Sequence, residues 1–370
     1  MLAELERHPH ARAVLAPALE TSARASHAYL FHGPGGAGKR AVARALAAEL
    51  LAEGSPDPAS ARARVDSGAH PDLSWVVPSG ANAMLVSDVD APVISAASKT
   101  PFESSRRVFV IERVDELGDE AANRMLKTLE EPSSFVHLIL LTDRLGEVLP
   151  TIRSRCQVVR FEPASDEALA AGLQDELGVS ADTALACVGL ALQDGERARE
   201  LASAEGQALR AAAERFARAA VAGEMATARP WTELLGAVRG RGEAAIAEVE
   251  ARAAAELELT PRKDRKRVEG EWTERARRSR RRVQTGALDL ALQLVALWFA
   301  DLICLAWGAD ELVRNRDRLS ELGQDAGVEA SRLREAVELV EETRQRFELN
   351  VSEELACEAL AYRLELTVAS

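Results

Sequence analysis

Apolar residues follow two different rhythms along this chain. Through the first 165 residues, short continuous apolar runs alternate with amphipathic stretches; beyond Pro163 only the helical spacing remains. HAYLFH (27–32), RVFVIE (107–112), FVHLILLT (135–142) and CQVVRF (156–161) are runs of buried-strand type, and HPDLSWVVP (70–78) is extended. Between them AVARALAAELLAE (41–53) predicts a strong helix. Residues 118–131 predict another, with Leu117, Ala121, Met125 and Leu129 on one face and Pro132 closing it. Residues 56–67 read as a loop or short helix. Strands that alternate with helices and are apolar throughout predict a parallel sheet covered on both faces.

The rest predicts helix alone: a small helical domain over 164–228 and a longer helical region over 229–370, after an α/β domain over 1–163. The segment 288–307 is the most apolar, but Asp289, Gln293 and Asp301 interrupt it, so it reads as a buried helix and not as a membrane span. No internal repeat is visible.

Composition narrows the picture. A length of 370 residues predicts two or three domains, and alanine, leucine, glutamate and arginine favour helix. A net charge of −13 argues against a uniformly cationic nucleic-acid binder, although not against a local basic groove. Cationic charge gathers in residues 260–282, where Trp272 is the one interleaved aromatic. That run reads first as a solvated loop and helix face, with a DNA contact as the alternative. Four scattered cysteines (Cys156, Cys187, Cys304, Cys357) suggest reduced thiols in a cytoplasmic protein. The N-terminal MLAELERHPH lacks a signal-peptide apolar core.

Candidate chemistry begins at Gly33-Pro-Gly35-Gly36-Ala-Gly38-Lys39-Arg40, which follows a strand and opens a helix. It matches the phosphate-loop pattern G-x4-G-K-[S/T] except at its last position. The glycines let backbone N–H groups approach phosphate oxygens, and Lys39 would reach the β- and γ-phosphates. Arg40 stands where the Mg²⁺-ligating hydroxyl belongs. Arginine cannot ligate Mg²⁺, so tight Mg-ATP binding is not expected.

GPGGAGKR, then HPD (70–72), NRMLKTLEEP (123–132) and LPTIRSRC (149–156) come in the order found in bacterial clamp-loader subunits. Over about residues 1–200 the chain resembles that AAA+ family of DNA polymerase III, more on its delta-prime than on its gamma/tau side. The resemblance implies an AAA+ (P-loop NTPase-like) α/β domain, an all-α lid and an all-α C-terminal collar. It also implies gamma/tau and delta subunits as partners in a pentamer, with the sliding clamp and primed DNA reached through the complex and no membrane. The isolated chain is expected to be a monomer.

By the same resemblance, Glu112 and Arg113 stand where a working motor has Asp-Glu. Glu112 could hold a metal through water, but a guanidinium cannot act as general base. Asp115 or Glu116 could instead shift into that role. Thr142 falls at the sensor-1 position and Arg197 near the sensor-2 arginine. Arg155, in Ser154-Arg155-Cys156, is the family's arginine finger, aimed at a neighbour's ATP site; the alternative is a local ion pair. Relatives carry zinc cysteines just before HPD, and this chain has none there, so no structural zinc is expected.

The resulting expectation is a stator that requires no cofactor, holds ATP or ADP weakly without hydrolysis, and supplies Arg155 in trans. An active gamma/tau-type ATPase is the second reading. A small-substrate P-loop kinase leaves LEEP and SRC unexplained.

Overall fold

The computed structural model describes residues 5, 8–20, 25–80, 84–259, 265–347 and 351–369. It divides into two compact units, residues 1–164 and 165–370.

In the first unit the predicted apolar runs form a five-stranded sheet. The strands are β1 (Ala28–His32), β2 (Leu73–Val76), β3 (Arg107–Ile111), β4 (Val136–Thr142) and β5 (Gln157–Arg160). Their order is β2-β3-β4-β1-β5, and every pairing is parallel. Successive side chains of a strand point to opposite faces, and each face has its own core. Tyr29, Phe31, Val108, Val110, Ile139 and Leu141 meet helices α1 (Pro9–Glu20) and α2 (Lys39–Ala52) in one cluster. Leu30, Phe109, Ile111, Leu138 and Leu140 form the other, with Met125 and Leu129 of helix α5 (Asp119–Glu130). Each fully buried side chain of this size contributes about 1.5–3 kcal/mol, so these central strands are apolar on both faces.

Three short elements complete the connections: α3 (Pro58–Asp66), α4 (Val86–Val89, running into a π turn) and α6 (Pro150–Arg153); α5 spans Asp119–Glu130. The periodicity did not reveal α1, which holds Pro17 inside it. Tertiary bonds anchor its start: His10 Nδ1 accepts from Arg160 N at 3.0 Å and His8 Nδ1 from Glu162 N at 3.1 Å. These imidazoles satisfy the outer edge of β5, a site for unwanted strand pairing if left open.

HPD is a structural corner. Asp72 accepts backbone N–H bonds from Phe102, Glu103 and Ser104 at 2.6, 3.0 and 3.0 Å, and its own N–H donates to His70 Nδ1. The loop before β3 is thereby tied to the start of β2.

The second unit is helical: α7 (Asp166–Leu177), α8 (Ala181–Leu190), α9 (Gly195–Ala202), α10 (Ala204–Ala222), α11 (Met225–Ala228), α12 (Pro230–Leu259), α13 (Arg265–Ala306), α14 (Leu319–Gln324), α15 (Ala330–Arg346) and α16 (Glu353–Val368). The expected segments 164–228 and 229–370 share one continuous buried cluster, from Ala170 to Val368. The reason is α10, which packs against α12, α13 and α16. With 42 residues, α13 is about 63 Å long. Its apolar half (287–302) is mostly buried within this unit, as the interrupting polar residues predict. Its basic half is largely exposed, and residues 260–264 of the basic run lie outside the described residues. A buried polar network pins the turn 313–318: Arg210 donates to both carboxylate oxygens of Asp317 and to Asn315, whose N and Nδ2 donate to Asp301.

Near the start of β4 His137 is buried, with Nδ1 at 2.9 Å from Ser26 O and Nε2 at 2.7 Å from an Arg106 nitrogen. Burial lowers its pKa to about 4. The unfolded chain, titrating near 6.5, therefore binds more protons between these values, so stability is complete above pH 6.5 and falls as pH drops toward 4. Between pH 7.5 and 5 the wild type should lose about 2 kcal/mol more than His137→Gln in urea unfolding. Parallel losses in the two proteins would show that His137 does not carry this pH dependence.

Candidate functional site

The sheet's strand order assembles the site. His32, the last residue of β1, pairs in register with Thr142 at the end of β4 and with Arg160 of β5. The glycine-rich loop therefore emerges between the ends of two neighbouring strands, with the end of β3 one strand further on. A Cβ on Gly33 would sit 2.4 Å from Phe161 O, so only glycine allows the loop to leave the sheet there. Gly38, with φ 79°, turns the chain into α2 in the left-handed region where glycine bears no steric cost. Gly35 and Gly36 complete the loop between them.

Lys39 is 7% exposed. Its Nζ donates to Gly33 O and Pro34 O, both at 2.6 Å, and lies 2.7 Å from Asp143 Oδ1. An ammonium has three donors, and all three are engaged. Asp143 was not among the residues singled out from sequence; only the neighbouring sensor position hinted at it.

Arg40 reaches across to the end of β3. Its Nε donates to Glu112 Oε2 at 2.8 Å and its Nη2 bonds the same oxygen. Trp75 Nε1 donates to Glu112 Oε1 at 2.7 Å, and the Arg44 guanidinium lies 4.6 Å above the Trp75 ring. Glu112 is 5% exposed. The two positions that read as departures from a metal site are thus joined to each other.

Arg113 stands in the left-handed region (φ 52°, ψ 50°) and pairs with Glu116 at 2.7 Å. A non-glycine residue held there costs on the order of 1 kcal/mol, which the surrounding turn sustains. Asp115 accepts from Thr142 Oγ1 at 2.7 Å and from Arg144 Nε at 3.0 Å, while Arg144 N donates to Thr142 Oγ1. Both carboxylates that could shift into a base's role are therefore committed to local partners.

Arg155 follows α6, its side chain 33% exposed. It pairs with Glu130, the first glutamate of LEEP, and its Nη1 donates to Thr151 O at 2.8 Å. The local ion pair held open by the sequence is present. Burial pushes the Cys156 thiol up to about 12, so at neutral pH it is a protonated packing group and not a thiolate. Arg197 belongs to the helical unit, where it donates to Gln293 Oε1 of α13 at 2.9 Å. The structure brings the loop, Glu112 and Thr142 into one region of the first unit. Among the described residues no three His, Cys, Asp or Glu side chains cluster to hold a metal.

A phosphate loop between β1 and α2, with acidic and polar residues at the ends of β3 and β4, defines a P-loop domain of the AAA+ class. Residues 8–165 match the family described as "DNA polymerase III, delta subunit". This N-terminal region is similar to DNA polymerase III subunits of both the delta-prime and the gamma/tau kind. It is 37% identical over 150 residues to DNA polymerase III subunit delta' of Bacillus subtilis, covering 40% of this chain and 45% of that protein. The chain is also 31% identical over 196 residues to the gamma/tau subunit of Mycobacterium tuberculosis, covering 50% of this chain and 33% of that protein. The chain spans about half the length of the curated delta' relatives it matches. A gamma subunit-related protein of Thermotoga maritima aligns over 97% of this chain and 99% of its own, at 14% identity and a TM-score of 0.48.

Because Thr142 both donates to buried Asp115 and accepts from Arg144 N, Thr142→Val should destabilise the protein by about 1–2 kcal/mol, read as a lower urea midpoint. An unchanged midpoint would show that this hydroxyl has no structural part.

Proposed function

We propose that this chain is a delta-prime-like stator of the DNA polymerase III clamp loader. It helps place the sliding clamp on primed DNA, hydrolyses no ATP itself, and lends Arg155 to the ATP site of a gamma/tau neighbour. The observation that carries the reading is the state of the acidic strand end. Glu112 is bound by Arg40 and Trp75, and the next residue is an arginine paired with Glu116. Neither a metal carboxylate nor a general base is left for hydrolysis in cis.

Arg155 supports the outgoing half of the reading. An exposed ion pair such as Arg155–Glu130 is worth about 0–1 kcal/mol. Releasing Arg155 toward a γ-phosphate in a closed site, where an arginine finger accelerates transfer by about 10³–10⁵, therefore costs little. The helical unit takes the lid and collar roles, gamma/tau and delta are the partners, and the complex works in the cytoplasm. Arg197 is assigned to the sensor-2 position, and any ATP or ADP on the loop is bound weakly.

An active gamma/tau-type ATPase is the second reading, favoured by the longer matched stretch of the gamma/tau relative. It requires Arg40 and Arg113 to be compatible with metal and base chemistry, which their pairing opposes.

In a complex reconstituted with gamma/tau and delta, Arg155→Ala should fold and assemble normally yet lower DNA-stimulated ATP turnover several-fold. A rate equal to wild type would remove the trans role.

A further inference from the structure

The AAA+ class implies a divalent cation beside the phosphate loop, and the residues here do not fit one. Magnesium requires hard oxygen donors in near-octahedral array, including a carboxylate that can face the ion. At this position the loop supplies a guanidinium, which has donors only. Glu112, the carboxylate at the end of β3, has both oxygens engaged: Oε2 by Arg40 and Oε1 by Trp75.

A carboxylate this deeply buried is stable only beside a positive charge or several hydrogen bonds. In a metal-dependent site the cation meets part of that need. Here Arg40 meets it from the residue directly after the phosphate-loop lysine, so the replacement charge comes from the element that otherwise supplies the metal's hydroxyl ligand. Trp75 gives Glu112 its second donor, and Arg44 holds the indole from above. The four side chains Arg44, Trp75, Glu112 and Arg40 form a chain from α2 through β2 and β3 back to α2.

Arginine suits this position for a physical reason. Its guanidinium stays charged at any biological pH, and its planar fork presents two N–H groups to one carboxylate, whereas lysine offers a point charge on a flexible stem.

We infer that Arg40 is a built-in cation in the metal's position: by occupying Glu112 it removes Mg²⁺ dependence from the phosphate loop. Restoring a hydroxyl at residue 40 then suffices to bring that dependence back. The inference rests on reading the loop as a former nucleotide site, and it concerns the metal alone, independently of Arg155.

The test is calorimetric titration of the full chain with ADP, once in EDTA and once with MgCl₂. Wild type should respond to ADP equally in both buffers, and Arg40→Lys, which keeps a cation there, should do the same. Arg40→Ser should bind at least about tenfold more tightly with Mg²⁺ than in EDTA, a gain of about 1.4 kcal/mol. Lys39→Ala added to Arg40→Ser should abolish that gain, locating it at the loop. Arg40→Thr supplies a second hydroxyl variant, and melting curves establish that each protein is folded. A Mg²⁺ enhancement in wild type, or folded hydroxyl variants without one, would overturn the inference. Neither result alters the reconstituted-complex test of Arg155, so failure of the two readings can be told apart.

Discussion

A buried carboxylate at the end of a central strand must be neutralised, and much of the first unit is arranged around how Glu112 is. Parallel pairing fixes the ends of β1, β3 and β4 on one side of the sheet. The phosphate loop, the acidic residue and the sensor position therefore come together whether or not they still perform chemistry. What differs is the partner. Arg40 and Trp75 take both oxygens of Glu112, and the same economy extends outward: Lys39 to Asp143, Arg113 to Glu116, Thr142 to Asp115. Each charged or polar group of an ATP site has an intramolecular counterpart. Fold stability is then met from within the chain, and the geometry of the domain does not depend on catalysis.

The exposed side of the unit carries a different balance. Arg155 is held by an exposed carboxylate and two oxygens of its own turn, interactions that are individually weak in water. Strong internal pairing at the loop and weak pairing at Arg155 are what the proposed trans role requires of a subunit that keeps its own shape. The helical unit uses the strong kind too. Arg210, Asp317, Asn315 and Asp301 satisfy one another inside a largely apolar cluster, and removing one partner of such a set typically costs 3–5 kcal/mol.

The central strands were legible in the sequence because a parallel strand buried on both faces is apolar at every position. β2 was less so: it lies at the sheet edge, and Leu73, Ser74 and Trp75 are only half-buried. Helix α1 escaped notice because Pro17 argues against helix locally, while the bonds from His8 and His10 that hold it come from residues some 150 positions away. At the candidate site, the loop motif singled out Gly33 to Arg40 and the family resemblance pointed to Glu112, Thr142 and Arg155, but neither revealed their partners. Arg40 and Glu112 are 72 residues apart, and Trp75 is 37 from Glu112. Such pairings follow from strand order and are invisible to a motif. The single core of the helical unit was hidden for the same reason, since periodicity shows that a helix has an apolar face but not which helix covers it.

The most direct test of the central claim is steady-state ATP turnover by the purified chain alone, compared with its Lys39→Ala variant. The account predicts no turnover above background in either protein, at any Mg²⁺ concentration. Turnover in the wild type that Lys39→Ala abolishes would contradict it, because it would show that a metal and a base operate behind Arg40 and Arg113 after all.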